Sequence, residues 1–142
     1  LCTVHHKYMG EDADVPYKAT HRNHPSTLWA GESAQNYEWL YKHFVALCEE
    51  YTKRYGKTHL SYTKCKDKVN MLPGGMLETG LTEIPQCMPD EYKSDNAFTA
   101  YRQYYALDKA PNDWFCYNKN RSAPLFIQEI QNGLRQGDQA IS

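Results

Sequence analysis

Apolar positions between Glu32 and His59 recur at steps of three and four residues, which places them on one face of an amphipathic helix. Ser33 is a suitable N-cap, because its hydroxyl can accept a hydrogen bond from a free N–H of the first turn. Gly56 is a suitable stop, since glycine adopts the left-handed conformation without steric penalty. The pattern therefore predicts a long central helix over about residues 33–55, with an apolar face made of Tyr37, Leu40, Tyr41, Phe44, Leu47, Cys48, Tyr51 and Tyr55.

Shorter helices are predicted on both sides of the central one. Pro25 suits the first turn of a helix that carries Leu28 and Trp29 toward the core. A second short helix is expected over residues 61–72. The next helix is expected to begin with a cap at Ser94 or Asp95 and to stop at Pro111, with Phe98, Tyr101 and Tyr105 on its apolar face. The last helix is expected from Pro124 to about Arg135. The connection between these two helices is expected to be anchored by Asp113, Trp114 and Phe115.

Three prolines and three glycines lie between positions 73 and 90, which predicts a long ordered loop over about residues 73–93. Any strand is expected only in short pieces near Pro16 or Thr82. We therefore expect a mainly α, single-domain helical bundle covering residues 1–142. Leu1 to Val4 read as the end of a helix already under way, so we expect the chain to lack an N-terminal segment of a longer protein.

The composition is 41% hydrophobic and 23% charged, as expected for a soluble globular domain. No apolar run approaches the roughly 20 residues needed to span a bilayer. Five cysteines without CxxC spacing favour reduced intracellular thiols over a disulfide framework, and Cys48 is expected to be a core thiol. The twelve tyrosines are expected at the edge of the core, or alternatively as the lining of a cleft.

The net charge is −1, but the charges are unevenly distributed. Six basic residues and one acidic residue lie between Lys53 and Lys68, whereas five acidic residues and one basic residue lie between Glu78 and Asp95. A local basic surface could bind phosphate. The alternative is a solvated helix end, where the helix dipole favours cations.

Four of the six histidines lie in the first 24 residues. His21 and His24 could share a helix turn and bind a divalent metal with His5 or His6. The chain has no HExxH motif, no closely spaced cysteine pair and no obvious carboxylate ligand, so we predict neither a metal nor a cofactor. The alternative is that His24-Pro25 forms a helix-entry turn in which the imidazole bonds to the backbone.

Candidate chemistry is spread over several segments. His24 or His59 could act as a general base oriented by Glu32 or Glu49, although no GxSxG, Cys-His or paired-Asp signature supports a particular nucleophile. The Gly56-Lys57-Thr58 sequence is not a P-loop, because the GxxxxGK[ST] pattern is absent. The predicted binding residues are His21, Arg22, Asn23, Arg54, Lys57, Gln86, Asp90 and Arg102.

Several blocks of the chain resemble an uncharacterised family of small proteins from tailed phages and marine viruses. They are His21-Arg22-Asn23-His24-Pro25, Trp29-Ala30-Gly31-Glu32-Ser33, Glu50-Tyr51-Thr52 with Arg54-Tyr55-Gly56-Lys57-Thr58-His59, and Gln86-Cys87-Met88-Pro89-Asp90. The resemblance covers roughly residues 1–118 and implies a helical intracellular protein. Through its Asn-His-Pro block the family is distantly similar to pyrimidine-dimer DNA glycosylases. Gly31 stands where the family pattern has an arginine, which puts any phosphate-binding role of that position in doubt.

Our first functional hypothesis is a phage-type DNA-metabolism protein that binds DNA or a nucleotide, with glycosylase- or nuclease-like activity left open. The alternative is a non-enzymatic interaction protein acting on a host factor, and the third is a histidine-based metal-dependent hydrolase. The expected partners are DNA or a nucleotide, with a homodimer or a host protein as alternatives and no membrane. The expected location is the cytoplasm of the infected host.

Overall fold

The computed structural model describes residues 1–110 and 122–141, except the side chains of residues 134–141. These ranges contain α1 (Cys2–Met9), α2 (Pro25–Ala30), α3 (Ala34–Tyr55), α4 (Leu60–Val69), α5 (Ala97–Tyr104) and α6 (Leu125–Ile141). They contain no strand, near Pro16 and Thr82 or elsewhere, so the mainly α prediction is confirmed. The chain divides into two compact units, Leu1–Pro85 and Gln86–Ser142. That they make up a single domain stays a prediction.

The long central helix is confirmed as α3. The Ser33 hydroxyl accepts a hydrogen bond from the Asn36 N–H at 3.0 Å. At the other end Gly56 is left-handed, with φ of 68°, and its N–H donates to the Thr52 carbonyl. Tyr37 and Cys48 of the predicted apolar face are buried, but the side chain of Leu47 is 62% exposed. The apolar face is therefore wider than the surface that the core covers.

The boundaries of the shorter helices differ in part from the predicted ones. Pro25 begins α2 as expected and Trp29 is buried, but Leu28 is exposed because only one side of this short helix faces the core. Leu1 to Val4 do not form the end of a helix, because α1 continues to Met9. The helix expected over residues 61–72 is α4 and ends at Val69.

Two differences lie in the second unit. The cap of α5 is Asn96, whose side chain accepts from the Thr99 N–H at 3.1 Å, and not Ser94 or Asp95. The Ser94 hydroxyl donates instead to the Asn96 carbonyl at 2.8 Å. The last helix, α6, continues past Arg135 to Ile141. The predicted stop at Pro111 and the predicted anchor at Asp113, Trp114 and Phe115 lie outside the described residues.

The core of the first unit is built on Val4, Trp29, Ala30 and Tyr37. The Trp29 ring meets the Trp39 ring edge to face, with centroids 5.7 Å apart. Inside this core the Tyr37 hydroxyl donates to the Val69 carbonyl at 2.6 Å and lies 2.7 Å from His5 Nε2. One buried hydroxyl thereby connects α1, α3 and α4.

The predicted long loop is held against the start of α3 by hydrogen bonds. The Ala34 N–H donates to the Leu77 carbonyl and the Ser33 hydroxyl to the Gly80 carbonyl, both at 2.8 Å. Asn36 is fully buried. Its side-chain oxygen accepts from the Thr82 N–H, and its side-chain nitrogen donates to the Thr82 hydroxyl, both at 2.9 Å. These contacts satisfy backbone groups that no strand or helix pairs.

In the second unit, α5 packs against α6 and against a 3-10 turn at Asp90–Tyr92. A π-helical turn at Tyr105–Lys109 extends α5. Among the described residues of this unit, Ala97, Ala100, Ala106 and Ile127 are buried and apolar. No helix in the described ranges is both long enough and apolar enough to cross a membrane.

Candidate functional site

A central cavity of about 470 Å³ opens in the first unit between α1, α3, α4 and the segment around residues 17–20. Its apolar part is formed by Leu1, Leu40, Phe44, Leu47 and Val69. The hydroxyls of Thr3, Thr20 and Ser61 add polar groups to the lining. An apolar cavity of this size with a few polar groups is typical of small-molecule sites.

The lining of the central cavity also carries a positive charge and an aromatic ring. Lys18 and Tyr17 both line the cavity. The Lys64 ammonium stands 5.8 Å from the centre of the Tyr17 ring, and the Tyr17 hydroxyl lies 3.2 Å from the Ser61 hydroxyl. A ring contacted at both its face and its hydroxyl has a defined orientation in the cavity lining.

A second cavity of about 210 Å³ lies between α1 and α2. It is lined by Thr3, Val4, His6, Lys7, Arg22, Thr27 and Leu28. Thr3 lines the central cavity as well, so the two adjoin. Both ring nitrogens of His6 point at backbone carbonyls, those of Gly10 at 3.0 Å and Tyr17 at 2.9 Å. Lys7 and Arg22 contribute positive charge to the lining of this cavity.

A third cavity of about 380 Å³ lies at the C-terminal half of α3. It is lined by Phe44, Leu47, Cys48, Tyr51, His59 and Ser61. Phe44, Leu47 and Ser61 also line the central cavity, so these two adjoin in turn. The His59 ring meets the Tyr51 ring edge to face, with centroids 4.7 Å apart. We call the three adjoining cavities the concave face.

The charge of the concave face differs from that of the whole chain. Among the described residues, no aspartate or glutamate lines any of the three cavities, although the net charge of the protein is −1. The titratable or cationic nitrogen groups in the lining are Lys7, Lys18, Arg22, His6, His43 and His59. The concave face thus combines positive charge with aromatic and aliphatic surface.

The two histidines predicted as general bases both cap helices. His24 Nδ1 accepts from the Ser26 N–H at 3.1 Å at the start of α2, and His59 Nδ1 accepts from the Ser61 N–H at 3.0 Å at the start of α4. An imidazole that accepts at Nδ1 carries its proton at Nε2 when neutral, so Nε2 is then a donor and not a base. Glu32 is exposed, and no contact in the described residues joins it to either histidine.

The other predicted binding residues of the first unit are exposed to differing degrees. His21, Arg22 and Asn23 lie together in the exposed turn before α2, where His21 has a left-handed φ of 50°. His21 is therefore not in a helix turn with His24, as the metal hypothesis required. Arg54 pairs with Glu50 at 3.1 Å, and Lys57 is exposed just after Gly56. Of the predicted residues, the structure places Arg22 and His59 on the concave face.

Three predicted residues belong to the second unit. The Gln86 side chain bonds both backbone groups of Ser94, donating to its carbonyl at 2.6 Å and accepting from its N–H at 3.0 Å. Asp90 pairs with Lys93 at 2.8 Å, and this ammonium lowers the pKa of Asp90. The Arg102 guanidinium lies 5.7 Å from the centre of the Phe126 ring. In the described ranges, no group of three or more His, Cys, Asp or Glu side chains is arranged to hold a metal ion.

Lys7, Lys18 and Thr3 line the concave face but carry no sequence motif that singles them out. The segment Pro16-Tyr17-Lys18 offers the only signal, an aromatic residue and a cation in an extended stretch after a proline. That stretch reaches the cavity through tertiary contacts, which include the pair of hydrogen bonds between Thr3 and the Thr20 backbone. Local spacing does not encode such contacts.

Comparisons of the chain with models of protein families, with curated proteins and with solved structures give no match. The resemblance to small phage and marine-virus proteins therefore stays a prediction. The case for a function depends on the chemistry of the concave face itself.

Proposed function

We propose that the first unit binds single-stranded nucleic acid or a nucleotide on the concave face. The observation that carries this proposal is the composition of the lining: aromatic and aliphatic surface, three cations and, among the described residues, no carboxylate. Proteins that bind single strands combine a positively charged groove with aromatic side chains on which bases stack.

The central cavity suits an unstacked base. Its volume of about 470 Å³ lies in the range of small-ligand sites. Phe44 and Leu47 add apolar surface to the lining, and Tyr17 adds a ring against which a base can stack. A paired base in a duplex cannot enter such a cavity without leaving its stack. The proposal therefore favours single strands over duplexes.

The cations suit the phosphates that flank such a base. Lys18 stands at the central cavity, while Lys7 and Arg22 stand at the adjoining second cavity across Thr3. Each phosphate neutralised by a lysine or arginine releases counterions, which makes the affinity depend on salt. Arg54 lines none of the three cavities and pairs with Glu50, so it is not part of this set of cations.

The proposal is one of binding and contains no chemical step. A general-base role for His24 or His59 would require the histidine to leave its helix cap, because in the capping state a neutral ring has its proton at Nε2. The proposed binding needs no such change.

The direct test is fluorescence anisotropy of the purified protein with labelled single- and double-stranded oligonucleotides at about 50 and 200 mM salt. We expect the single strand to bind more tightly than the duplex and its affinity to fall as salt rises. Equal affinity for both forms would contradict the role of the central cavity. A folded protein that binds neither form at low salt would contradict the proposal.

A second candidate is binding of a host protein by the loop. Met71, Leu77 and Leu81 are exposed by 73%, 67% and 58%, although their loop is held to α3 by several hydrogen bonds. Exposed apolar side chains on an ordered loop are typical of interaction sites. A host protein that co-purifies with the natural chain and not with a Leu77→Asp, Leu81→Asp variant would support this candidate.

A further inference from the structure

Two cysteine thiols face each other at the central cavity. Cys2 lies in the first turn of α1 and Cys65 in α4, and their sulfur atoms are 4.0 Å apart. Both residues line the cavity, Cys2 being half-buried and Cys65 buried. Their separation of 63 positions means that folding, and not sequence proximity, brings them together.

We propose that Cys2 and Cys65 form an oxidation-sensitive pair that a small disulfide, such as oxidised glutathione, converts into an intrachain disulfide at the central cavity. The geometry requires the sulfurs to move about 2 Å closer, since a disulfide bond is about 2.05 Å long. Side-chain rotation supplies motion of this size. Both cysteines line the cavity, and we expect the oxidant to reach the more exposed Cys2 from it.

The reaction balances as a thiol–disulfide exchange. The thiolate of Cys2, the more exposed of the two, attacks one sulfur of oxidised glutathione, forming a mixed disulfide and releasing one glutathione thiolate. Cys65 then loses its proton to solvent and attacks the Cys2 sulfur, which releases the second glutathione. The two protein thiols are oxidised to one disulfide, and one oxidised glutathione is reduced to two thiols.

The buried environment of Cys65 makes its thiol slower to react with a disulfide than the thiol of Cys2. Burial, followed by the neighbouring Cys2 thiol, raises the pKa of Cys65 to about 11. A thiol must be deprotonated to attack a disulfide, so Cys65 is suited to the second step and the reaction should be faster at alkaline pH. Cys48 also lies near enough to influence Cys65 and is the competing partner.

The test exposes the folded protein to oxidised glutathione, blocks the remaining thiols with iodoacetamide and identifies the products by mass spectrometry after cleavage at lysine. We expect a disulfide that joins the peptide ending at Lys7 to the one ending at Lys66, reversed by dithiothreitol. Because the bond closes a loop of about 60 residues, the oxidised protein should melt at least about 5 °C higher. The experiment contains no nucleic acid, so its outcome is independent of the proposed binding function.

Single Cys→Ser variants provide the controls. Cys2→Ser and Cys65→Ser should each abolish the cross-link, while Cys87→Ser should form it as readily as the natural chain. Circular dichroism of each variant establishes that it is folded. Recovery of Cys2 and Cys65 fully alkylated, or a major cross-link through Cys48, Cys87 or Cys116, would overturn the proposal.

Discussion

His5 and Tyr37 share a buried hydrogen bond whose direction the structure determines. The Tyr37 hydroxyl has one proton and donates it to the Val69 carbonyl at 2.6 Å. The same oxygen, 2.7 Å from His5 Nε2, must therefore accept a proton from that nitrogen. A neutral His5 thus carries its proton at Nε2, and the bond joins α1 to α3 and, through Tyr37, to α4.

Removing this hydroxyl should destabilise the first unit. Tyr37→Phe leaves a donor on His5 and an acceptor on Val69 without their buried partner, at a cost of about 1–3 kcal/mol. Urea unfolding followed by circular dichroism measures the change. Tyr55→Phe is the matched control. Because the side chain of Tyr55 is 49% exposed, this substitution should change the free energy of unfolding very little. Equal effects of both variants would show that the buried bond contributes nothing specific.

Stability should also depend on the protonation of His5. Burial is the largest of the effects that lower the pKa of His5 in the folded protein. The folded state therefore binds fewer protons than the unfolded chain, whose histidine pKa is about 6.5. The stabilisation is fully present above about pH 6.5 and is lost as the pH falls toward the folded pKa.

We expect the free energy of unfolding to decrease as the pH is lowered from about 7 to about 5. His5→Gln keeps a donor for Tyr37 but does not titrate, so its stability should fall less over the same range. Urea titrations at several pH values make the comparison. Parallel pH profiles of the variant and the natural chain would rule out His5 as the source of this dependence.

The loop should detach from α3 when Asn36 is changed. Asn36 is fully buried and donates to the Trp29 carbonyl at 2.9 Å in addition to its bonds with Thr82. Asn36→Ala should cost at least about 2 kcal/mol, since several buried polar groups lose their partner. Hydrogen exchange at the Thr82 amide should accelerate. Gln35→Ala removes one bond, to the Gly80 N–H, and should have a smaller effect.

Substitution with asparagine separates the helix-capping role of His24 and His59 from any role of their imidazoles in catalysis. His24→Ala and His59→Ala should each destabilise the protein by about 0.5–2 kcal/mol, as the loss of an N-cap does. His24→Asn and His59→Asn should recover much of this stability, because asparagine is a preferred cap but not a general base. If nucleic-acid binding or any activity follows the imidazole while stability follows the cap, a functional role beyond capping is established.

The sequence predicted best the features that local contacts decide. Ser33, Gly56 and Pro25 each act within one turn of a helix end, and the structure confirms all three positions. The predicted cap of α5 is wrong, because three residues suited to capping follow one another in the sequence: Ser94, Asp95 and Asn96. Local spacing could not show that Ser94 bonds to Gln86 and to the Asn96 carbonyl.

Most residues of the concave face could not be predicted from the sequence. Lys18, Cys2 and Cys65 meet at one cavity through contacts between residues far apart in the chain. Arg22 and His59 were predicted and do line cavities, whereas Gln86 and Asp90 bond within the second unit. Polar residues that cap helices and anchor loops have the same chemical types as binding residues, so their type alone does not separate the two roles.

The central claim is that cations on the concave face hold nucleic-acid phosphates. The most direct measurement is the salt-dependent affinity of a Lys18→Ala, Arg22→Ala variant for a labelled single-stranded oligonucleotide, compared with Lys42→Ala, Lys53→Ala. Both variants lose two positive charges, but Lys42 and Lys53 line none of the three cavities. We expect the first variant to bind more weakly, with a slope of log affinity against log salt reduced by about 1 for each cation removed, and the second to bind like the natural chain. Equal losses in the two variants would show that net charge, and not the concave face, governs binding, and would contradict the proposed site.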